Sequence, residues 1–229
     1  MDFKYLDIVR ELLSTIERDE GEHMARCVDV LYDCIWQKHS IYTFGASHAG
    51  ILSEEMYYRA GGLMLMNPIF GREIMLDTEP ITHTSAMERL VGYGTELAHN
   101  RADFQAGDVL IAHSVSGRNP VTVEVAMAAK DAGATVIAIT NLSYSKSVSS
   151  RHPSGKRLCD LADIILDNHG ENWRCSRRRQ WHGAKGIAHI NGRWGDHAQR
   201  NCRSPRAKAS RRGYGTSANL LQRQSRRRR

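Results

Sequence analysis

The sequence predicts an α/β domain in which helices cover both faces of a parallel β-sheet, and three observations lead there. Short β-prone runs alternate with helical stretches at the spacing of βαβ units. The runs Val109-Leu110-Ile111-Ala112 and Val136-Ile137-Ala138-Ile139 are apolar throughout, as strands buried on both faces are. Two strand ends run into small-residue turns that lead directly into helices, the place where such sheets bind ligands.

The elements follow in order. Tyr5, Ile8, Val9, Leu12, Leu13 and Ile16 recur at three-to-four spacing and predict a first amphipathic helix over residues 3–17. Arg18-Asp19-Glu20-Gly21 is expected to break it, and Met24, Cys27, Val28, Leu31 and Ile35 to form a second helix that packs on the sheet or on another subunit. Residues 1–40 thus read as N-terminal helices. Ile41-Tyr42-Thr43-Phe44 is the first strand, and a helix is expected from His48 to Arg59. Gly61-Gly62 stops that helix, and Leu63-Met64-Leu65-Met66 reads as the next strand. A helix is predicted over residues 85–99, with Met87, Leu90, Val91 and Leu97 inward. The strand 109–112, a helix over 121–132, the strand 135–139, a short helix over 158–162 and the strand Ile164-Ile165-Leu166 complete the domain.

Composition narrows the class. No run of eighteen apolar residues is present, so no membrane span is expected, and the N-terminus has no secretory apolar core. Cys27, Cys34, Cys159, Cys175 and Cys202 are odd in number and form no C-x-x-C pair. A disulfide framework or zinc cage is not expected, and a reducing cytoplasm fits.

The two turns carry the chemistry. Gly45-Ala46-Ser47-His48-Ala49-Gly50 lets backbone approach a ligand and presents helix N–H groups to an anion. Ser114-Val115-Ser116-Gly117-Arg118-Asn119-Pro120 offers two hydroxyls, a glycine turn and a guanidinium, with Pro120 suited to a helix start. For each, the plain alternative is an ordinary strand-to-helix turn. Neither turn is a Walker loop or a dinucleotide fingerprint.

The segment Ser114-Val115-Ser116-Gly117-Arg118-Asn119 resembles the S-x-S-G-x-[TS] phosphate loop of SIS (sugar isomerase) domains. Phe44 to Glu55, Tyr58-Arg59-Ala60-Gly61-Gly62 and Gly133 to Asn141 resemble the uncharacterised SIS subgroup near phosphoheptose isomerases. The resemblance covers residues 1–170. It implies a flavodoxin-like three-layer α-β-α sandwich with a five-stranded parallel sheet over 41–170, a phosphorylated sugar as ligand, and homodimers or homotetramers. It implies phosphate contacts from Gly45, Ser47, Ser114, Ser116, Gly117, Arg118 and Asn119. Two positions depart from the pattern: Ala49 stands where many relatives have serine, and Asn119 where Thr or Ser is usual.

Aldose–ketose isomerisation needs a base and an acid near a carbonyl oxygen. His48 is the first candidate, with capping or phosphate contact as its alternative. Glu54, with Glu55 beside it, lies in the following helix, the alternatives being an ion pair and a solvated face. Glu88, read as beginning a helix and able to reach a neighbouring subunit's site, is the third candidate, with capping as its alternative. His113 reads as a strand-end residue. The later-helix histidine of phosphoheptose isomerases has no visible equivalent. Gly45-Ala46-Ser47-His48-Ala49 lacks the last glycine of a hydrolase elbow and no Asp…His pair follows. His48, His83, His113 and His169 lack ligand spacing, so neither a metal nor a cofactor is expected. A phosphosugar sensor without turnover is the alternative to an isomerase.

The composition changes after Gly170. Residues 171–229 hold 15 Arg and 2 Lys against Glu171 and Asp196, a net +15, whereas residues 1–170 carry −8. Apolar periodicity ends, and Trp173, Trp181 and Trp194 fall there. One reading is a nucleic-acid arm, since clustered arginines release counterions from phosphates. The preferred reading is a shifted frame. Dropping one base from the Asn172 codon turns a permitted back-translation of residues 171–186 into EIGDAAVDVNGMEQK, which resembles the family's continuation. The basic tail is then non-native, and a helix that should cover one sheet face is missing.

Overall fold

The structure, a computed structural model, describes residues 4–170. The basic segment 171–229, on which the frame-shift and nucleic-acid readings fall, lies outside the described residues. Five parallel strands form one sheet in the order β2-β1-β3-β4-β5: β1 (Ile41–Gly45), β2 (Met66–Pro68), β3 (Val109–His113), β4 (Thr135–Thr140) and β5 (Ile164–Asp167). This is the flavodoxin order, in which the chain reverses its direction of winding between β1 and β3.

Both faces are covered, which is why the central strands need no polar alternation. Tyr42, Phe44, Leu110, Ala112, Val136 and Ala138 pack under α4 (Tyr93–Arg101), α5 (Pro120–Asp131) and α7 (Leu158–Leu161). Ile41, Val109, Ile111, Ile137 and Ile164 pack on the other face with Cys27 and Cys34 of α1 (Lys4–Trp36) and Met56 of α2 (Gly50–Met56).

The expected break at residues 18–21 does not occur, because α1 is one helix of 33 residues. A glycine inside a helix costs about 1 kcal/mol relative to alanine. Tertiary contacts outweigh that here. Glu20, buried beside the exposed Gly21, accepts from His169 Nε2 at 2.8 Å and from the Asp167 amide at 3.2 Å, joining the helix to the end of β5. Burial would raise the Glu20 pKa, but hydrogen bonds from His23, His169 and that amide hold it below the usual glutamate range. The helix ends with Lys38 in the left-handed region at φ 64° and the His39 amide bonded to the Cys34 carbonyl. Met24, Val28, Tyr32 and Trp36 remain exposed along α1. No helix among the described residues is long and apolar enough to cross a membrane.

Three other elements differ from expectation. The second strand begins at Met66, paired with Ile41, and Leu63, Met64 and Leu65 are exposed before it; Asn67 Nδ2 donates to the Ile41 and Leu65 carbonyls where the strand starts. The helix expected over 85–99 is two: α3 (Thr82–Met87) and α4, separated by Gly92 at φ 93°. Leu90 and Val91 lie in that connection and are exposed rather than inward. The break is held by Glu124 of α5, whose buried carboxylate accepts from the amides of Gly92 (2.6 Å), Gly94 (2.8 Å) and Thr95 (3.2 Å). A carboxylate there satisfies the orphan N–H groups of a helix start. Finally, α6 (Leu142–Lys146) is an unanticipated helix, capped by Asn141 Oδ1 accepting from the Tyr144 amide at 2.7 Å.

Candidate functional site

The two small-residue turns leave adjacent central strands at their carboxyl ends. Gly45 of β1 lies opposite His113 of β3 in register, so Ser47 and Ser114 begin from the same rim. Winding reverses between these two strands, the place where the connections of an open α/β sheet diverge.

The first turn needs its glycine. A Cβ on Gly45 would lie 2.3 Å from the Ala49 carbonyl oxygen and 2.8 Å from the Gly50 amide nitrogen. That closeness lets the chain fold back as a 3-10 turn over Ser47–Ala49 before α2 starts at Gly50. Ser47 adopts φ 51°, uncommon for a residue with a side chain and held only where surroundings impose it. His48 is exposed on this turn. Beneath it, His113 is buried and its Nδ1–H donates to the Ala49 carbonyl at 3.1 Å. Burial pushes the His113 pKa below its usual value, only partly offset by that hydrogen bond, so the ring is neutral at pH 7.

The second turn is pinned from three sides. The Ser114 hydroxyl accepts from the Gly117 amide at 3.2 Å, and Gly117 takes φ 59°. The fully buried Thr140 donates its hydroxyl to the Ser114 carbonyl at 2.7 Å. The Leu158 amide donates to the Gly117 carbonyl at 2.8 Å, with Leu158 packed where a Gly117 Cβ would be. Asn119 is the N-cap of α5 and Pro120 its first residue. Among the described residues Ser116 makes no side-chain hydrogen bond and the buried Arg118 Nε has no partner, while Arg118 Nη2 reaches Ser149 at 3.4 Å.

Glu88 joins the turns. It does not begin a helix, as its sequence neighbours suggest, but forms the C-cap of α3. Its Oε1 accepts from the Ser47 hydroxyl and its Oε2 from Asn119 Nδ2 at 2.7 Å. Asn119 Oδ1 in turn accepts from Arg151 Nη1 at 2.7 Å, and the Arg151 amide donates to the Arg118 carbonyl at 2.9 Å. Ser47, Glu88, Asn119 and Arg151 therefore form one connected line across the rim. Glu54 is not brought into it: it is exposed on α2, while Glu55 pairs with Arg59. Arg151 carried no motif and no periodicity, so nothing in the sequence marked it.

Two cavities lie elsewhere. One of about 850 Å³ is lined by Tyr57, Asn67, Phe70, Arg72 and Arg101 at the β2 edge. One of about 410 Å³ lies beside Glu20, Asp167 and His169. Between Ser47 and Asn119 the space is taken by the Glu88 carboxylate.

Comparison with known proteins gives a consistent result. A family described as "SIS domain" matches residues 4–141. The chain is 55% identical over 168 residues to a UPF0309 protein of Shouchella clausii, covering 73% of this chain and 67% of that protein. It is 48% identical over 168 residues to a UPF0309 protein of Oceanobacillus iheyensis, covering 73% and 68%. The match spans about two thirds of the length of these relatives. Among solved structures, the fold resembles phosphoheptose isomerase GmhA from Neisseria gonorrhoeae, with a TM-score of 0.51 at 18% identity over 75% of this chain and 86% of that one. A phosphoheptose isomerase from Francisella tularensis gives 0.51 at 15% identity over 74% and 84%.

Proposed function

Because the chain belongs to the SIS domain family, we propose that it binds a phosphorylated sugar between the β1 and β3 turns and interconverts its aldose and ketose forms. The observation that carries the reading is the placement of Ser47 and the Ser114–Asn119 turn on neighbouring strands at the reversal point of the sheet. The free Ser116 hydroxyl and the orphaned Arg118 Nε suit an anion, since a buried guanidinium N–H without an acceptor is costly. Ser114, Gly117 and Gly45 shape the two turns around it.

Isomerisation moves a proton between adjacent carbons and polarises the carbonyl oxygen. Glu88 is bonded to the β1 turn through Ser47 and to the β3 turn through Asn119, and His48 stands on the β1 turn. A carboxylate held by Ser47 and Asn119 is kept in one orientation and serves as the base, with His48 supplying a proton to the oxygen. Glu54 is the weaker of the three candidates, being exposed and untied to either turn. A second reading, phosphosugar sensing without turnover, is favoured by one observation: among the described residues no side chain orients the exposed His48.

Thermal shift against a panel of sugar phosphates, followed by assay of aldose–ketose turnover, separates these readings. The wild type is expected to melt higher with at least one sugar phosphate, and Ser116→Ala to lose that shift. His48→Ala is expected to keep the shift and lose turnover. A shift without turnover in the wild type selects the sensor, and no shift with any sugar phosphate refutes the site.

A further inference from the structure

We infer that the cavity at the β2 edge is a second ligand site and that it takes a nucleoside monophosphate. Its volume of about 850 Å³ lies in the range of small-molecule sites, roughly 300–1,000 Å³. Its walls come chiefly from β2, from the chain on either side of that strand and from the end of α4. It shares no lining residue with the two small-residue turns. The groups collected there differ in the way the three parts of a nucleotide differ.

The apolar part is a pair of rings. Tyr57 and Phe70 meet edge to face, with centroids 5.8 Å apart and planes at 82°. Phe70 is half-buried, whereas Tyr57 is 47% exposed and offers ring surface to a flat base. Asn67, also in the lining, spends its Nδ2 on the Ile41 and Leu65 carbonyls, which leaves Oδ1 to accept from a base N–H. The cationic part is a pair of arginines. Among the described residues no hydrogen bond or ion pair holds the Arg101 guanidinium. Arg72 Nη2 is paired with Asp77 Oδ2 at 2.9 Å, but both side chains are exposed, and such a pair is weak enough to yield to a phosphate. Two guanidiniums match a phosphate dianion in charge and geometry. The lining carboxylate is Asp103, whose Oδ2 accepts from Gln105 Nε2 at 3.5 Å and whose Oδ1 remains for ribose hydroxyls. A sugar phosphate would leave the rings unused, and a nucleoside would leave the arginines bare. Of the three, the nucleotide alone engages every part.

The test is titration calorimetry on the full chain with adenosine 5′-monophosphate, adenosine and inorganic phosphate. The monophosphate is expected to bind at least about tenfold tighter than either fragment. Tyr57→Ala is expected to weaken the monophosphate and adenosine by about tenfold and to leave inorganic phosphate unchanged. Arg101→Met is expected to weaken the monophosphate by about tenfold and to leave adenosine unchanged. Both side chains are exposed, so both variants should melt within about 2 °C of the wild type. Ser116→Ala is expected to bind the monophosphate as the wild type does, which separates this site from the phosphosugar turns. Absence of monophosphate binding, a monophosphate no tighter than adenosine or inorganic phosphate, or its affinity lost in Ser116→Ala overturns the inference. Full monophosphate affinity in Tyr57→Ala or in Arg101→Met, as contact with the basic segment 171–229 would give, overturns it as well.

Discussion

Replacing Gly45 by alanine tests the first turn with a single methyl group. The added Cβ would stand 2.3 Å from the Ala49 carbonyl oxygen, 2.5 Å from its carbon and 2.8 Å from the Gly50 nitrogen. All three are backbone atoms, so no side-chain rotation relieves the contact. Ordinary packing distances require the 3-10 turn to retreat by about 1 Å. Overpacking of this kind costs about 1–3 kcal/mol. In a domain of this size each kcal/mol moves the melting temperature by ~2–4 °C, so a fall of roughly 2–12 °C is expected. The same displacement pulls Ser47 away from Glu88, and a shift of about 1 Å in a binding constellation is enough to cost at least ~10-fold in function. Gly21→Ala is the matched control. It adds the same methyl group to a position with nothing within 4 Å, in the interior of α1, where alanine is favoured by about 0.5–1 kcal/mol. Differential scanning calorimetry should show the two substitutions moving the melting temperature in opposite directions. A Gly45→Ala protein melting within about 1 °C of the wild type would refute the close-approach account of this turn.

Two further outcomes follow from buried groups. Glu124→Ala strips the acceptor from three amides at the start of α4 and is expected to lose about 3 kcal/mol in urea unfolding, whereas Glu124→Gln, retaining one acceptor oxygen, loses less; equal losses would contradict the capping role. His113 has a folded pKa below the ordinary 6.5 because of burial, so the unfolded chain takes up the proton first as pH falls. Its contribution to stability is therefore complete above pH 6.5 and is lost progressively below it. Stability measured from pH 7.5 down to 5 should fall less steeply in His113→Gln, and an NMR titration placing His113 at or above 6.5 would negate the buried neutral ring.

Local signals carried far, for physical reasons. Strands β1, β3, β4 and β5 and helix α5 were legible because burial on two faces leaves uninterrupted apolar runs, and a proline after a small-residue turn marks a helix start. The two small-residue turns were legible as strand-to-helix turns, because glycine and serine tolerate the tight backbone geometry there. Where local preference competed with a distant partner, the sequence misled. Gly21 reads as a helix breaker, yet Glu20 beside it is anchored to Asp167 and His169. Residues 85–99 read as one helix, yet Glu124 caps a new start at Gly92.

By itself, then, the amino-acid order determined the layered α/β class, the alternation of elements and the two small-residue turns at strand ends. Only the tertiary structure decided that Glu88 holds Ser47, 41 positions earlier, and Asn119, 31 positions later, and that Arg151 completes the line. Periodicity records which side of an element is buried. It holds no record of which polar side chains meet once the sheet brings remote segments to a common rim, and the chemistry of the site depends on that meeting.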